Sequence, residues 1–247
     1  MRLITWNILA GGEDRWPEIA AVLRRERPDL VALQELRGFG RARLDRLAGD
    51  LGMTGHLAPS AFGQPVAVLS RLPSDRRRSV SWRLHHAAAV VTVGELTLVS
   101  THLNPFRPER RRREATWLAA RFHAASRWVL LAGDLNGLDP YGDHAAELAG
   151  LSPRYRRRHL AGDGTVDTRG LAAFERGGLT DLWRRAGLGD GRTVPTGLAG
   201  GEFGAMRLDY VLGNPAVAGR VRELRVLRDA ETEYASDHYP LLAEFDL

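Results

Sequence analysis

The sequence predicts a layered α+β fold with mostly antiparallel β-sheets. Short apolar runs of strand length recur along the chain, and other segments carry apolar residues at helical spacing. Along the sequence, some predicted strands are followed by helices and others by further strands, and this order favours the α+β class. A repeating βαβ order of the dinucleotide-binding type fits poorly, because Gly11-Gly12 lacks a third glycine at the spacing that this motif requires.

The first half of the chain is predicted to contain two helices among several strands. Residues 13–28 and 41–52 have the helical spacing, and Gly52 is a helix stop. Gly94-Glu95 separates two apolar runs and predicts a tight hairpin. The predicted strands are residues 2–7, 29–35, 65–73, 77–84, 87–93 and 96–102.

The second half is predicted to hold one long helix and four strands. The helix runs from about Pro108 to Ala125, and residues 137–180 are mixed, with short helical pieces. The predicted strands are residues 128–136, 207–213, 220–227 and 239–247. A chain of 247 residues with 44% hydrophobic content can form one substantial core, so we expect a single domain over residues 1–247.

Composition excludes several classes of protein. The chain has no apolar run near 18 residues, which excludes a membrane span, and its first residues resemble a core strand more than a signal peptide. A cytoplasmic location without an obligate protein partner is the expectation. With no cysteine, the chain has no disulfide, thiol nucleophile or thiolate metal site. Any metal must bind to oxygen or imidazole ligands, which favours a hard ion such as Mg²⁺.

The charge balance favours an anionic partner. The net charge is +5, and all 35 basic residues are arginine. Arginine forms planar, bidentate hydrogen bonds to phosphate, which suits a nucleic acid or another phosphate ester. The alternative is a solvated basic surface with no particular partner.

Polar residues recur at the ends of the apolar runs. Asp134 and Asn136 follow one such run two positions apart, so they point to the same side of an extended chain. Four runs end on such residues and two begin after them, so antiparallel pairing would gather all of them at one edge. The set comprises Asn7, Glu35, His102, Asp134, Asn136, Asp209, Asp237 and His238. Each alone could be an ordinary turn residue, and Asp209 could simply pair with Arg207.

Six of these segments together resemble a known family. "WNIL", "LQE", "STHL", "GDLN", "RLDYVL" and "SDHYPLLAEF" occur in the order seen in the endonuclease/exonuclease/phosphatase superfamily, which has the DNase I-like fold. The resemblance covers residues 2 to 247. It implies a four-layer α/β sandwich, with two packed, mixed β-sheets flanked by helices. It also implies divalent-metal-dependent hydrolysis of phosphate esters.

The resemblance implies a metal site with Mg²⁺, for which Mn²⁺ could substitute. Glu35 would be the principal ligand, and Asn7 and Asp237 would complete or support its shell. A cation of this kind offsets the negative charge of the phosphate that repels an attacking hydroxide.

The resemblance also assigns catalytic roles to the remaining groups. Asp134 would position the attacking water and Asn136 the phosphate, while Asp209 fixes His238 as the general base. His102 would stabilise the pentacovalent transition state or protonate the leaving oxygen, and the sequence leaves both roles open.

Some positions depart from the pattern of particular branches. Leu9 stands where abasic-site nucleases carry an acidic residue, and "STHLNPF" lacks their tyrosine, which argues against abasic-site repair. Gln64 stands where some nucleases carry a glutamate that pairs with the histidine of "THL". This replacement makes His102 a less secure general acid.

Three arginine clusters bear on the substrate: residues 76–78, 110–113 and 154–158. Arg107 and Arg110 could reach the phosphate entrance, and Tyr155 could stack on a base. The alternative for residues 110–113 is that they wrap around a helix, since four consecutive residues cannot share one face. A phosphodiesterase or nuclease acting on nucleic acid is the favoured function. The alternatives are a small-molecule or phospholipid-head-group phosphoesterase and a non-enzymatic polyanion-binding module.

Overall fold

The computed structural model describes all 247 residues and contains two six-stranded β-sheets. The first half of the chain forms β1 (Arg2–Asn7), α1 (Trp16–Glu26), β2 (Leu30–Gln34), α2 (Arg41–Asp50), β3 (Thr54–Ala58), β4 (Val66–Ser70), β5 (Arg76–Val80), β6 (Ala88–Val93) and β7 (Leu96–His102). The second half forms α3 (Pro108–Phe122), β8 (Trp128–Asp134), α4 (Ala145–Ala149), α5 (Pro153–Arg156), α6 (Arg169–Arg176), β9 (Thr180–Asp181), α7 (Trp183–Ala186), β10 (Asp209–Gly213), α8 (Pro215–Ala218), β11 (Val221–Val226), α9 (Thr232–Ala235) and β12 (Leu241–Phe245). No helix is both long and apolar enough to cross a lipid bilayer.

The two sheets share one design. Their strand orders are β11-β12-β1-β2-β4-β3 and β5-β6-β7-β8-β10-β9. In each sheet the one parallel pair is central, β1 with β2 and β7 with β8, and every other neighbouring pair is antiparallel. The prediction of mixed, mostly antiparallel sheets is confirmed. The predicted hairpin is confirmed as well, since Val93 pairs with Leu96.

The strands separate three hydrophobic cores because successive side chains point to opposite faces of a sheet. Leu3 of β1 lies between the two sheets, whereas its neighbour Ile4 packs outward against α1 and α2. On the other sheet, Val99 and Leu131 pack outward against α3 and α6. The layers therefore run helix, sheet, sheet, helix, which confirms the predicted four-layer sandwich.

Two local predictions differ from the structure. The sequence pattern does not predict β3, because this edge strand has mostly half-exposed residues and no apolar alternation. Gly55 allows its close packing: a Cβ there would lie 2.7 Å from Leu44 Cδ2. The strand predicted over residues 77–84 ends at Val80, since a turn follows and leads to the buried His86.

The shared design explains why the polar groups meet at one edge. Parallel strands end on the same side, so β1 and β2 carry Asn7 and Glu35 to the edge to which β7 and β8 carry His102 and Asp134. The antiparallel strands β10 and β12 begin at this edge. The N-terminal and C-terminal parts of the chain are also joined at this edge, because the Trp6 indole donates a hydrogen bond to the carbonyl of His238 at 2.9 Å.

Gly133 of β8 lies very close to the backbone of β7, and both strands carry site residues. Its φ is 149°, and a Cβ at this position would lie 1.9 Å from the carbonyl oxygen of Thr101. We expect Gly133→Ala to lower the free energy of unfolding by about 2–3 kcal/mol, because β7 and β8 would have to separate. Denaturant unfolding measures the loss. Gly150→Ala is the matched control, since nothing lies within 4 Å of its Cβ position, and an equal loss in both variants would contradict the prediction.

Candidate active site

The predicted site residues converge on one cavity of about 430 Å³ at the shared edge of the sheets. Glu35, His102, Asp134, Asn136, Asp237 and His238 line it, while the buried Asn7 and Asp209 lie directly behind this lining. Six separate segments of the chain bring these groups together. Independent turn residues would not be expected to share one cavity, so this distribution favours a common site.

The buried pair His238 and Asp209 has the geometry of an acid–base dyad. His238 Nδ1 lies 2.7 Å from Asp209 Oδ2, which fixes the tautomer with the proton on Nδ1. His238 Nε2 faces the cavity and lies 3.8 Å from Asp134 Oδ2. Burial of the ring opposes protonation, but Asp209 and Asp134 outweigh it and raise the pKa of His238 well above its ordinary value. Asp209 does not pair with Arg207, which binds Asp139 and Asp181 instead.

Asp134 is the hub of the site. Its Oδ2 accepts a hydrogen bond from Asn7 Nδ2 at 3.1 Å and lies 3.3 Å from His102 Nε2. Its Oδ1 accepts from the backbone amide of Asn136 at 2.9 Å, and Asn136 has a left-handed φ of 49°. Burial raises the pKa of Asp134, while the two histidines act in the opposite direction. The carboxylate thus connects both imidazoles with the side chain of Asn7 and the backbone of Asn136.

Glu35 and Asp237 form a second, more open acidic pair. Glu35 accepts from Asn7 Nδ2 and Gln64 Nε2, both at 3.2 Å, and it holds a left-handed φ of 60°. Such backbone strain is found mainly at functional sites. Burial raises the pKa of Asp237, and the charge of Glu35 raises it further. Two carboxylates that line one cavity and repel each other fit a bound cation, which would offset this repulsion, and the oxygen donors fit a hard divalent ion.

A second group could hold a metal by distance alone. One ligand atom each from Asp134, Asp209 and His238 lies within 4.8 Å of the others. However, Asp209 is fully buried and already paired with His238, whereas Mg²⁺ usually keeps several waters. The acidic pair of Glu35 and Asp237 lines the open cavity, so it suits a hydrated ion better.

His102 has surroundings that the sequence did not indicate. Its ring stacks on His86, with centroids 4.3 Å apart, and its buried Nδ1 has no hydrogen-bond partner. Burial, followed by the nearby His102 and His85, lowers the pKa of His86 to about 2, so His86 is a neutral ring. Gln64 binds Glu35 rather than His102. His102 therefore meets a carboxylate only at Nε2, through Asp134, and lacks the carboxylate at Nδ1 that makes His238 part of a dyad.

The predicted substrate-binding residues lie beside the cavity and not in its lining. Arg107 and Arg110 line a neighbouring depression, and Arg110 pairs with Glu114. Tyr155 is half-buried, with the Arg158 guanidinium 4.7 Å from its ring centroid. Arg158 itself lines the cavity, as does Arg37. The sequence could not single out Arg158 among its neighbours, because the turn between α5 and residue 160 decides which arginine points inward.

The arginine run of residues 110–113 divides over several faces of α3, as the geometric alternative predicted. Arg111 is buried and donates to the backbone carbonyls of Asn104 and Arg158 at 3.0 and 2.8 Å. Arg112 and Arg113 both bind Glu109. Only Arg110 and Arg113 are strongly exposed, so this run is not a single basic patch.

Two stacked mixed sheets that gather buried carboxylates and histidines at one edge define the class of DNase I-like proteins. The model of the endonuclease/exonuclease/phosphatase family matches residues 4–238, and the chain belongs to this family, whose enzymes hydrolyse phosphoester bonds. No curated protein shows a significant sequence match.

Solved structures agree with this assignment. The chain is similar to the 3′ phosphatase NExo from Neisseria bound to a product DNA hairpin (23% identity, TM-score 0.74) and to an AP endonuclease from Archaeoglobus fulgidus (17%, 0.74). It is also similar to the 3′-5′ exonuclease NExo from Neisseria meningitidis (22%, 0.75). Each comparison covers 100% of both chains. At these identities the likeness shows the fold alone.

Proposed function

We propose that the chain is a phosphodiesterase that cleaves nucleic acid and depends on a divalent metal. The metal is Mg²⁺, for which Mn²⁺ can substitute. The observation that carries the proposal is that one cavity is lined both by an aspartate-backed histidine and by a pair of carboxylates that repel each other. The first supplies a general base, and the second suits a cation. Hydrolysis of a phosphate diester needs both, because the ester is anionic and water is a weak nucleophile.

The positions of the residues support the following roles. In its neutral form His238 accepts the proton of the attacking water at Nε2, and Asp134 orients that water. Asn7 holds the carboxylates of Glu35 and Asp134 in place, and Asn136 would position the phosphate. Glu35 and Asp237 would bind the metal, which when bound supplies positive charge to the non-bridging phosphate oxygens.

His102 is assigned to stabilise the charge that develops on the phosphate. It lies beside Asp134 in the cavity, but no carboxylate holds its Nδ1. A histidine without such a partner is less well oriented than His238, so the role of general acid suits it less. Hydrogen-bond donation from Nε2 to a phosphate oxygen requires no such partner.

Charge around the cavity favours nucleic acid over an uncharged or small substrate. The net charge is +5, and two arginines, Arg37 and Arg158, line the cavity. Arg107 and Arg110 form the adjoining depression with Arg83 and Arg113, and we propose that it receives backbone phosphates beyond the cleaved one. The half-buried Tyr155 would act only through Arg158, against which it packs.

A substrate panel tests the proposal. Purified protein is incubated with single- and double-stranded DNA and RNA and with small phosphate mono- and diesters, in Mg²⁺, Mn²⁺ or EDTA. We expect cleavage of nucleic acid that EDTA abolishes. His238→Ala protein, prepared in parallel, controls for contaminating nucleases. Release of phosphate from small esters while every nucleic acid stays intact would reject the proposed substrate but keep the chemistry. The cytoplasmic location stays a prediction.

A further inference from the structure

Two exposed phenylalanines stand at the mouth of the cavity. Phe62 is 58% exposed and Phe106 is 55% exposed, and both line the cavity together with the catalytic groups. Large apolar side chains that remain in water at the mouth of a polar cavity are typical of a binding surface. The polar chemistry proposed above makes no use of them, so they require a separate explanation.

The two rings meet a third ring, that of His85. Phe62 stacks on the imidazole with centroids 4.2 Å apart and an interplanar angle of 24°. Phe106 approaches the same imidazole edge-on, at 5.9 Å and 87°. The three residues, here called the aromatic platform, come from three separate loops. Their proximity is therefore a product of the tertiary fold and not of a local sequence motif.

The aromatic platform is held rigidly from below. The buried carboxylate of Glu114 accepts hydrogen bonds from the backbone amide of His85 at 2.6 Å and from that of Asn104 at 2.8 Å. Asn104 Oδ1 in turn accepts from the amide of Phe106 at 2.9 Å. One carboxylate of α3 thus fixes two of the three loops. A pre-organised surface loses little entropy when a ligand binds, which is characteristic of a recognition site.

The charge at the platform suits a planar base on an anionic chain. Burial, then Arg110 and His102, lowers the pKa of His85, so its ring is a neutral face at neutral pH. The Arg158 guanidinium lies 5.5 Å from the Phe106 ring centroid at the rim of the cavity. Neutral rings therefore stand beside a cation and beside the groups proposed to cleave the phosphate. A nucleotide has the matching parts, a flat base and a phosphate joined by a short sugar link.

We propose that the aromatic platform of Phe62, His85 and Phe106 stacks with an unpaired nucleobase next to the phosphate in the cavity, which directs the enzyme to single-stranded or frayed nucleic acid. This inference rests on the proposed nucleic-acid function. In a duplex both faces of an internal base are covered by its neighbours, so only an unpaired or terminal base can offer a face to the rings. A phospholipid head group has no such planar face.

Binding measurements on uncleaved substrate test the platform directly. His238→Ala protein is titrated against a fluorescent single-stranded oligonucleotide and against the same sequence as a blunt duplex, and anisotropy gives both dissociation constants. We expect Phe62→Ala and Phe106→Ala, added separately, to weaken single-strand binding by roughly 5- to 100-fold each, and duplex binding far less. Phe62→Tyr should restore most of the affinity. Tyr234→Ala, which removes a 64% exposed ring outside the cavity, should change neither constant.

The outcomes separate this inference from the proposed function. The platform is rejected if both alanine variants bind the single strand as the parent does, or if they lose single-strand and duplex affinity equally. It is also rejected if the parent binds no oligonucleotide. In the otherwise wild-type background, cleavage of single strands at unchanged kcat/KM by both variants overturns the platform while the nuclease function stands. Failure of the wild type to cleave any nucleic acid overturns the proposed function itself.

Discussion

His238→Ala should lower kcat for phosphodiester hydrolysis roughly 1,000-fold, because general bases contribute two to four orders of magnitude. The variant removes the cavity imidazole whose Nδ1 a buried carboxylate holds. Substrate affinity should change little, since the ring accepts a proton and makes no binding contact that other groups cannot replace. The expected signature is thus a loss in kcat with a nearly constant KM.

Asp209→Asn isolates the part of this effect that comes from orientation. Asparagine preserves the size of Asp209, but it can present an amide to His238 Nδ1 and so favour the wrong tautomer. We expect a loss of roughly 100-fold or more in kcat with an intact fold. His123→Ala is the control, since His123 lies on the far end of α3, outside the cavity. Steady-state kinetics measure turnover, and circular dichroism checks the fold. If both site variants kept near-normal turnover, His238 would not be the general base.

The backbone of this site was predictable because strand geometry decides it. Asn7, Glu35, His102 and Asp134 each end an apolar run, and the two parallel pairs place such ends at one edge. The order of the apolar runs along the chain, and the alternation of residues that face into and out of the sheet, are enough to predict the four layers and the edge at which the site lies. No statement about loops is needed for either.

The walls of the cavity were not predictable, because irregular segments build them. Phe62, His85 and Phe106 follow no periodic pattern in the sequence. Their proximity depends on the buried Glu114, and the charged residues around Glu114 in the sequence do not indicate that it is buried. Arg158 reaches the cavity through a contact of its carbonyl with Arg111, 47 positions earlier in the chain. The direction of a side chain on a loop depends on such distant partners. For this reason Arg107 and Arg110 were selected by proximity in sequence, and Arg158 was missed.

Glu35→Gln should weaken binding of the divalent metal by at least about 100-fold, since loss of even an outer partner of a metal ligand costs 10- to 100-fold. The glutamine keeps the size of the side chain, and its single oxygen can accept from either Asn7 or the Ala10 amide, so the fold should survive. Turnover should fall in parallel and recover partly at high metal concentration. Calorimetric titration with Mn²⁺ gives the affinity directly. Glu202→Gln is the matched control, because Glu202 lines the same cavity but has no contact with Asn7, Gln64 or Asp134.

The same titration decides between the two places that could hold the ion. If the metal lies at Glu35 and Asp237, Asp209→Asn leaves the Mn²⁺ affinity almost unchanged while it slows turnover. If the metal lies among Asp134, Asp209 and His238, the order reverses, and Glu35→Gln keeps its affinity. Physical grounds favour the first result. Asp209 has no exposed surface and its Oδ2 is already bound to His238 Nδ1, so a hydrated ion there would have to break the dyad. An ion at Glu35 would offset the charge that adds to burial in raising the pKa of Asp237.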